Sequence, residues 1–418
     1  MFKYLIDSFS KGKYFLFASV TEVLTLFIYN LYIARIFGPA VYGEIKTILA
    51  VTGIIITFFN FGFPIHLQRY AAGSKAPGIE LSKIFFIKLI SSFLYFILTV
   101  FYFFFFSALI NWYIVIIVTV STFLLSFSNI FFYLYFGKNK ISLTFKFTFI
   151  SRLSLLLILI ILLPFNIPVE AVLFLLLLSN LILVIFSIFG LNEIQSEILF
   201  SIPSNTEILS LLRETFPLGL TTIFNFLYGR IDIVILSIIL NYVFVAQYNI
   251  PHSLYKLSGM IFSVFLIPAF NSFTQHQENR PLNVRLFYSF FLIILLASSI
   301  IAVFILLFGG YGLNLLYGNR YAMAATIIPY FSVAVIGLGM NSLTGCFLNA
   351  TGNYKVTMYT TMTGFIFNAA ANIILINKIG IMGAVYTAVF TEAIVFLLQL
   401  FFIIKMNLDI IWKRRLTY

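Results

Sequence analysis

Long apolar runs separated by short polar connections make up most of this chain of 418 residues. A transmembrane helix needs about 20 consecutive, mainly apolar residues. With the polar connections taken as boundaries, the pattern predicts an all-α polytopic membrane protein with twelve transmembrane helices. The predicted spans are residues 14–37, 45–67, 83–107, 112–136, 142–163, 168–189, 215–239, 246–269, 286–308, 323–348, 356–377 and 380–404.

The composition supports lipid as the solvent for most of the surface. Hydrophobic residues make up 62% of the chain and charged residues 9%, with a mean hydropathy of +1.08, whereas soluble domains are about a quarter charged. A soluble core could not absorb 53 Phe and 24 Tyr. The single cysteine, Cys346, excludes an internal disulfide framework, and three scattered histidines form no metal-ligand cluster, so we expect no metal and no cofactor.

The basic residues, which give a net charge of +12, are unequally divided between the two sets of loops. Eighteen of them fall on the side of the N-terminus, whereas the opposite side holds four, namely Arg35, Lys46, Arg320 and Lys378. Short cytoplasmic loops are enriched in Lys and Arg. The asymmetry therefore predicts that both termini are cytoplasmic.

The chain also shows signs of an internal duplication. Tyr42 and Gly53 correspond to Tyr248 and Gly259 at an offset of 206 residues, and residues 137–140 (GKNK) correspond to 352–355 (GNYK) at an offset of 215. The longest polar connection of the chain, residues 191–214, lies between the first set of these residues and the second. We therefore predict two six-helix bundles of the same orientation, divided as residues 1–190, a linker at 191–214, residues 215–404 and a tail at 405–418.

Charges within the spans are the main functional signal, because they are costly in a bilayer and usually face protein or water. They concentrate on spans 1, 2, 7 and 8, which the duplication makes equivalent, and this pattern is typical of helices around a shared cavity. The residues are Glu22, Lys46, Arg230, Asp232, His252 and Lys256, with Arg152 on span 5 and Glu392 on span 12 added elsewhere.

Helical spacing places several of these residues on common faces. Glu22, Thr25, Tyr29 and Tyr32 share a face of span 1; Asn225, Tyr228 and Asp232 share one on span 7; and Tyr248, His252 and Lys256 share one on span 8. Structural roles stay open for six of the eight residues that carry the charges within the spans. Asp232, Arg230 and Arg152 could pair with other helices, Lys256 and His252 could be interfacial anchors, and Glu392 could hold helix packing.

Four ordered segments carry a resemblance to a known family. They are residues 31–43 (LYIARIFGPAVYG), residues 217–220 (PLGL) with the following Tyr228-Gly-Arg230-Ile-Asp232, residues 348–355 (LNATGNYK), and residues 377–388 (NKIGIMGAVYTA) followed by Glu392. The chain resembles the Wzx-type flippases of polysaccharide repeat units. Their superfamily also contains the MATE-type multidrug exporters and the lipid II flippases. The chain departs from the family pattern at Gln247 and Pro251, where the family has Gly and a helix former.

The resemblance implies that the protein is not an enzyme. It implies a MATE-like fold in a bacterial cytoplasmic membrane, and translocation of an undecaprenyl-pyrophosphate-linked oligosaccharide, such as an O-antigen or capsule unit, by alternating access. We expect H⁺ or Na⁺ as the coupling ion, exchanged at Glu22 and Asp232, and polysaccharide polymerase and chain-length proteins as further partners. The expected substrate-binding residues are Lys256, Arg230, Arg35, Lys46 and Arg152 toward the pyrophosphate, Tyr29, Tyr32 and Tyr228 toward sugar rings, and His252.

Two other functions stay open at this point. A MATE-like exporter of small cationic molecules would need an acidic cavity, whereas the charges within these spans lean basic. A non-transporting scaffold of a glycan assembly complex would have no need of the carboxylates at Glu22 and Asp232.

Overall fold

The computed structural model describes residues 2–73, 78–106, 110–194, 203–276 and 278–415. Every regular element in these ranges is a helix, as expected for a backbone that must satisfy its own hydrogen bonds in lipid. The predicted all-α polytopic membrane fold is confirmed. Part of the predicted linker (195–202) and the loop residue Lys75 lie outside the described residues.

The chain forms two compact units, Met1–Phe226 and Leu227–Tyr418. Seven α-helices begin in the first unit: α1 Phe2–Asn60, α2 Phe63–Gly73, α3 Gly78–Phe106, α4 Trp112–Gly137, α5 Ile141–Leu162, α6 Val169–Phe189 and α7 Asn205–Tyr228. Six follow in the second: α8 Ile231–Ile239, α9 Tyr242–Gln275, α10 Arg280–Tyr317, α11 Ala322–Ala350, α12 Tyr354–Ile379 and α13 Ile381–Arg415. Short 3₁₀ helices cover Gly190–Ile194 and Asn319–Tyr321.

The boundary between the units lies near the end of α7, within the predicted seventh span, and α13 continues into the predicted tail as far as Arg415. In the described part of the chain, ten helices are long and apolar enough to cross a membrane. The count is eleven if the pair Thr222–Tyr228 and Ile231–Ile239 forms one bent span.

Helix α1 is not one continuous helix, because its backbone breaks sharply at Gly38. Its apolar part, Phe17–Asn60, has 44 residues and would be about 66 Å long as a straight helix, roughly twice the thickness of a hydrocarbon core. Gly38 interrupts it with φ 81° and ψ 179°, and Pro39 follows. The break lies between the first two predicted spans.

Two of the predicted spans are themselves broken. The second is interrupted after Asn60 by Phe61 (φ 40°) and Gly62 (φ 77°). The seventh divides into α7 and α8, which are bent by 43° around Gly229 and Arg230. Because an unbroken helix does not run through this bend, the predicted common face of Asn225, Tyr228 and Asp232 is wrong: Asn225 is exposed and Asp232 is buried.

Helices pack in the same order within each unit. In the first, α1 packs against α5, α4 against α6, and α5 against α6. In the second, α8 packs against α12, α11 against α13, and α12 against α13. The equivalent elements of the two units thus have equivalent neighbours, as a duplicated chain would produce.

The ends of α4 and α11 are the same turn, and they correct the offset of the predicted repeat. Asn139 (φ 55°) and Gly352 (φ 80°) take the left-handed conformation after these helices. The next amide then bonds five residues back, with Lys140 N donating to Tyr135 O at 2.9 Å and Asn353 N to Leu348 O at 2.8 Å. This is the Schellman helix ending. Asn139 therefore corresponds to Gly352, and the predicted pairing of Gly137 with Gly352 was wrong by two residues.

Replacing Gly38 by Ala is expected to lower the free energy of unfolding by about 1–3 kcal/mol, because the backbone at Gly38 lies in a region that side chains rarely allow. Pro39 restricts the preceding residue further. The measurement is reversible unfolding in mixed micelles, followed by far-UV circular dichroism. Gly312→Ala is the matched control, since Gly312 is helical and a Cβ there would meet nothing within 4 Å. Equal stability of both variants would contradict the assignment of strain to Gly38.

Candidate functional site

A buried carboxylate stands at the start of α8 in the second unit. Asp232 is 2% exposed and lies in the first helical turn. Its Oδ1 accepts from the Ile233 amide at 2.9 Å, and its Oδ2 accepts from the Tyr248 hydroxyl. The same Oδ2 lies 3.3 Å from His252 Nε2. Asp232, Tyr248 and His252 therefore form one buried polar cluster, which we call the Asp232 cluster.

A second buried carboxylate, Glu392 on α13, lies in the same unit. Its Oε1 accepts from Lys256 Nζ at 2.9 Å and from the Tyr255 hydroxyl at 3.3 Å, and its Oε2 accepts from Asn341 Nδ2 at 3.0 Å. Glu392 is fully buried, whereas the Lys256 side chain is 30% exposed. The Lys256 ammonium also lies 5.0 Å from the ring centre of Tyr228 and 4.8 Å from that of Tyr255. We call this group the Glu392 cluster.

Aromatic rings separate the two clusters. The His252 ring stacks on Tyr248 and meets Tyr255 edge-on, with 5.1 Å between ring centres in both cases. Phe331 of α11 packs against all three rings. The predicted common face of Tyr248, His252 and Lys256 on α9 thus carries both clusters. His252 itself is buried by these rings, so the structure does not present it to a substrate as predicted.

The first unit holds an ion pair in which the cation is buried and the carboxylate is accessible, the reverse of the Lys256–Glu392 pair. Arg152 of α5 is 1% exposed, and its Nη2 donates to Glu22 Oε1 at 2.9 Å, while the Glu22 side chain is 36% exposed. Arg152 Nη1 donates to Asn180 at 2.8 Å and to Ser179 at 3.0 Å. Two residues that we predicted for different roles, pyrophosphate binding and ion coupling, are thus partners. Arg152 is enclosed by protein rather than presented to a ligand.

The other predicted residues of the first unit differ in accessibility. The Tyr29 hydroxyl donates to Val172 O at 3.0 Å and the ring is buried, so Tyr29 is not placed to stack on a sugar in this conformation. Lys46 is buried, with Nζ 2.7 Å from Asn30 Oδ1 and 5.0 Å from the centre of the Tyr42 ring. Tyr32 is half-buried and Arg35 is exposed.

Sequence reasoning missed one buried cation. Lys88 of α3 is one of the eighteen basic residues counted on the side of the N-terminus, but it is 1% exposed and its Nζ donates to Asn60 Oδ1 at 2.8 Å and to the carbonyl and hydroxyl oxygens of Ser126 at 2.6 Å. Asn60 is the last residue of α1, where the partial negative charge of a helix end favours a cation. The sequence does carry a signal for its burial, since Lys88 lies within the apolar run of the predicted span 83–107, five residues after Lys83 at its start.

A charged cluster connects α2, α3 and α7. His66 Nε2 lies 2.9 Å from Glu80 Oε1, and Lys83 Nζ lies 2.9 Å from Glu207 Oε1. The Lys83 ammonium, together with the Ser204 amide and hydroxyl, lowers the pKa of Glu207 to about 2. Glu207 therefore stays ionised across the physiological range. In the part of the chain that the structure describes, no group of three or more His, Cys, Asp or Glu could hold a metal ion.

Two curated relatives come from the archaeon Methanocaldococcus jannaschii. The uncharacterized membrane protein MJ1375 is 21% identical over 424 residues, which covers 96% of both chains. The uncharacterized membrane protein MJ1068 is 32% identical over 116 residues, a match that spans only 28% of this chain and 23% of that relative.

Solved structures show the same fold at low sequence identity. An inward-facing multidrug resistance MATE family transporter of the MOP superfamily matches with a TM-score of 0.75 at 13% identity, covering 96% of this chain and 99% of that one. The lipid II flippase MurJ in an inward closed conformation matches with a TM-score of 0.74 at 13% identity, covering 93% and 87%. The predicted MATE-like fold is confirmed.

The family model described as "Polysaccharide biosynthesis protein" matches residues 11–274, which is more than half of the chain. Family and fold together agree with the prediction of a membrane transporter rather than an enzyme. The chain belongs to the Polysaccharide biosynthesis protein family and has the fold of the MATE and MurJ transporters.

Proposed function

We propose that this protein is a flippase that moves a lipid-linked oligosaccharide from the cytoplasmic to the outer leaflet of the cell membrane. The family match over residues 11–274 carries this proposal. The physical need is clear, because a glycan and a pyrophosphate cannot cross hydrocarbon without polar partners. The substrate proposed is an isoprenoid-pyrophosphate-linked repeat unit, with undecaprenyl as its carrier in a bacterial membrane.

The proposed topology has twelve spans with both termini in the cytoplasm. The break at Gly38 supports counting α1 as two spans, and the bent pair around Gly229 supports counting the ends of α7 and α8 as one. The repeated packing order of the two units supports a division into six and six. The excess of Lys and Arg in alternate loops supports the orientation.

The basic side chains within the spans support an anionic substrate. Lys256, which is half-buried, carries this support, whereas the buried Lys46, Lys88 and Arg152 are enclosed by protein and held by their own partners. Lys256, Arg230 and Tyr228 are the proposed contacts of the head group in the second unit, because Arg230 is exposed and Tyr228 and Lys256 are half-buried. Arg35 and Tyr32 take this role in the first unit. An exporter of small cations would need the opposite balance of charge.

Deletion of the gene is expected to leave the lipid-linked oligosaccharide on the cytoplasmic face and to remove its glycan from the cell surface. Lipid extracts of the deletion strain, analysed by mass spectrometry, identify the accumulated species. A sugar-binding lectin applied to sealed inside-out and right-side-out vesicles then reports which leaflet holds it.

Complementation with the wild-type gene is the control and should restore the surface glycan. Accumulation on the outer leaflet would place the protein after translocation and would favour a scaffold of glycan assembly. An unchanged surface glycan with no accumulated intermediate would rule out the proposal.

A further inference from the structure

The second predicted span is interrupted within its apolar run, and the interruption leaves a helix end that needs polar partners. Helix α1 ends at Asn60, and Phe61 (φ 40°) and Gly62 (φ 77°) turn the chain before α2 begins at Phe63. The last carbonyl groups of a helix have no partners within that helix, and polar groups without partners are costly in lipid. We therefore expect a donor or a cation beside the end of α1.

Lys88 of α3 reaches this helix end. Its Nζ lies 2.8 Å from Asn60 Oδ1 and 2.6 Å from both the carbonyl oxygen and the hydroxyl oxygen of Ser126 on α4. The Ser126 hydroxyl in turn donates to Asn60 Oδ1 at 2.6 Å. Two helices thus provide three oxygen ligands for one nitrogen, and the ligands are also bonded to each other.

The geometry around Lys88 Nζ is that of an ammonium. An ammonium has three donors and no acceptor, which matches the oxygens of Asn60 and Ser126 that surround this atom. A neutral amine would turn its lone pair toward one of these oxygens. Burial by itself disfavours the charge, but the partial negative charge at the end of α1 favours it.

Neutral oxygens and a helix end stabilise this ammonium in place of a carboxylate. In the part of the chain that the structure describes, every ion pair involves residues other than Lys88. Its further contact is the ring of Phe127, whose centre lies 5.8 Å from Nζ. Transporters use the C-terminal ends of broken helices to coordinate cations from solution, and here a lysine of the chain takes that position.

The site is enclosed by protein. Lys88 is 1% exposed and Ser126 is 5% exposed. Helix α7 crosses the turn at Gly219, where a Cβ would lie 3.0 Å from the carbonyl carbon of Phe61 and 3.1 Å from its oxygen. The Phe61 ring also packs against Phe216 of α7, with 5.9 Å between ring centres. A cation from solution would have to separate α7 from the turn on this side, whereas the Lys88 ammonium is already inside.

We propose that the end of α1 forms a binding site for a primary ammonium ion, and that the ammonium of Lys88 occupies it permanently. The tethered cation neutralises the helix end and fixes the break in the second span. Because it belongs to the chain, this site does not exchange its cation with the medium, and Lys88 is not available to an anionic substrate. The inference concerns the first unit alone and does not depend on the proposed function.

The test removes the tethered cation and supplies a free one. Lys88→Ala deletes the outer methylene groups and the ammonium, and n-propylammonium has the same heavy atoms as the deleted part. The full chain is unfolded and refolded in mixed micelles with and without this ion, so that the ion can enter before the site closes. We expect the variant to lower the folding equilibrium constant at least about tenfold, because hydrogen bonds to a charged group are lost. Added n-propylammonium should restore it progressively with concentration.

Three controls separate charge from volume and position. n-Propanol has a similar size but no charge, and tetramethylammonium has the charge but no N–H donor, so neither should restore Lys88→Ala. Lys88→Met should also lower the folding equilibrium constant about tenfold or more, but it should not respond to n-propylammonium, because the methionine fills the space. Lys83→Ala removes an ammonium of the same helix that pairs with Glu207 outside this site, and it should not respond either.

A Lys88→Met variant as stable as the wild type overturns the proposal, because the ammonium would then contribute nothing. Restoration of Lys88→Ala by n-propanol as well as by n-propylammonium also overturns it, since the site would then recognise volume and not charge. A Lys88→Ala variant that n-propylammonium does not restore has the same meaning. The measurement needs no glycan, so its result is independent of the deletion phenotype of a flippase.

Discussion

Glu22→Ala is expected to lower the free energy of unfolding by about 3 kcal/mol. The substitution leaves the Arg152 guanidinium, which is 1% exposed, without its carboxylate. Breaking a buried ion pair from one side costs about 3–5 kcal/mol in proteins, and the lower end applies because Glu22 is 36% exposed and water can enter where it stood. The measurement is reversible unfolding in mixed micelles.

Arg152→Met should cost less, because it leaves behind a carboxylate that water already reaches. Asn180 also keeps its own bonds to the carbonyl and hydroxyl of Ser121. The double variant Glu22→Ala/Arg152→Met should therefore be more stable than Glu22→Ala alone, which is the non-additivity expected of two residues in contact. Arg35→Ala, an exposed arginine on the same helix, is the control and should change stability by less than about 0.5 kcal/mol. A Glu22→Ala variant as stable as this control would mean that Arg152 does not depend on Glu22.

The second pair inverts this arrangement. In the first unit the cation is the enclosed member and the carboxylate is accessible, whereas in the second unit Glu392 is enclosed and Lys256 is accessible. We therefore expect truncation of the accessible member to be the more damaging change in both pairs. The type of charge alone would predict similar effects for replacing Glu22 and Glu392. Burial instead predicts similar effects for replacing Glu22 and Lys256, which are the accessible members of their pairs.

The fold was predictable because, in a lipid environment, the length of the apolar runs largely determines which segments form helices. A run of about 20 apolar residues has few structures open to it other than a membrane helix, so the twelve runs located nearly all of the helices. The breaks were not predictable in the same way. Gly62 and Gly229 are single glycines within apolar runs, and many such glycines lie in unbroken helices, as Gly312 does.

The partners within the site were beyond the reach of sequence patterns. Helical spacing relates residues on one helix, and it correctly placed Tyr248, His252 and Lys256 on one face of α9. The partner of a buried charge instead comes from a distant helix: Arg152 lies 130 residues from Glu22, and Lys256 lies 136 residues from Glu392. Only the packing of α5 on α1 and of α13 against α9 brings these side chains together.

Lys256→Ala is expected to lower the free energy of unfolding by about 3–5 kcal/mol and to abolish surface glycan. The stability effect follows because Glu392, which is fully buried, loses its only ion-pair partner among the described residues. The loss of glycan follows from the proposed contact between Lys256 and the pyrophosphate. The two effects are measured separately, by unfolding in mixed micelles and by lectin staining of complemented cells at matched protein levels.

The double variant Lys256→Met/Glu392→Gln separates the structural role of Lys256 from its role in binding. It removes both charges of the pair and keeps side chains of similar volume, and replacing a buried pair by neutral groups is often close to neutral for stability. We expect a folded protein that exports no glycan, because the cation toward the pyrophosphate is still missing. Export restored by the double variant would show that Lys256 serves only to neutralise Glu392. The head group would then have to be held elsewhere, and Arg230, exposed beside the bend between α7 and α8, would be the next residue to replace.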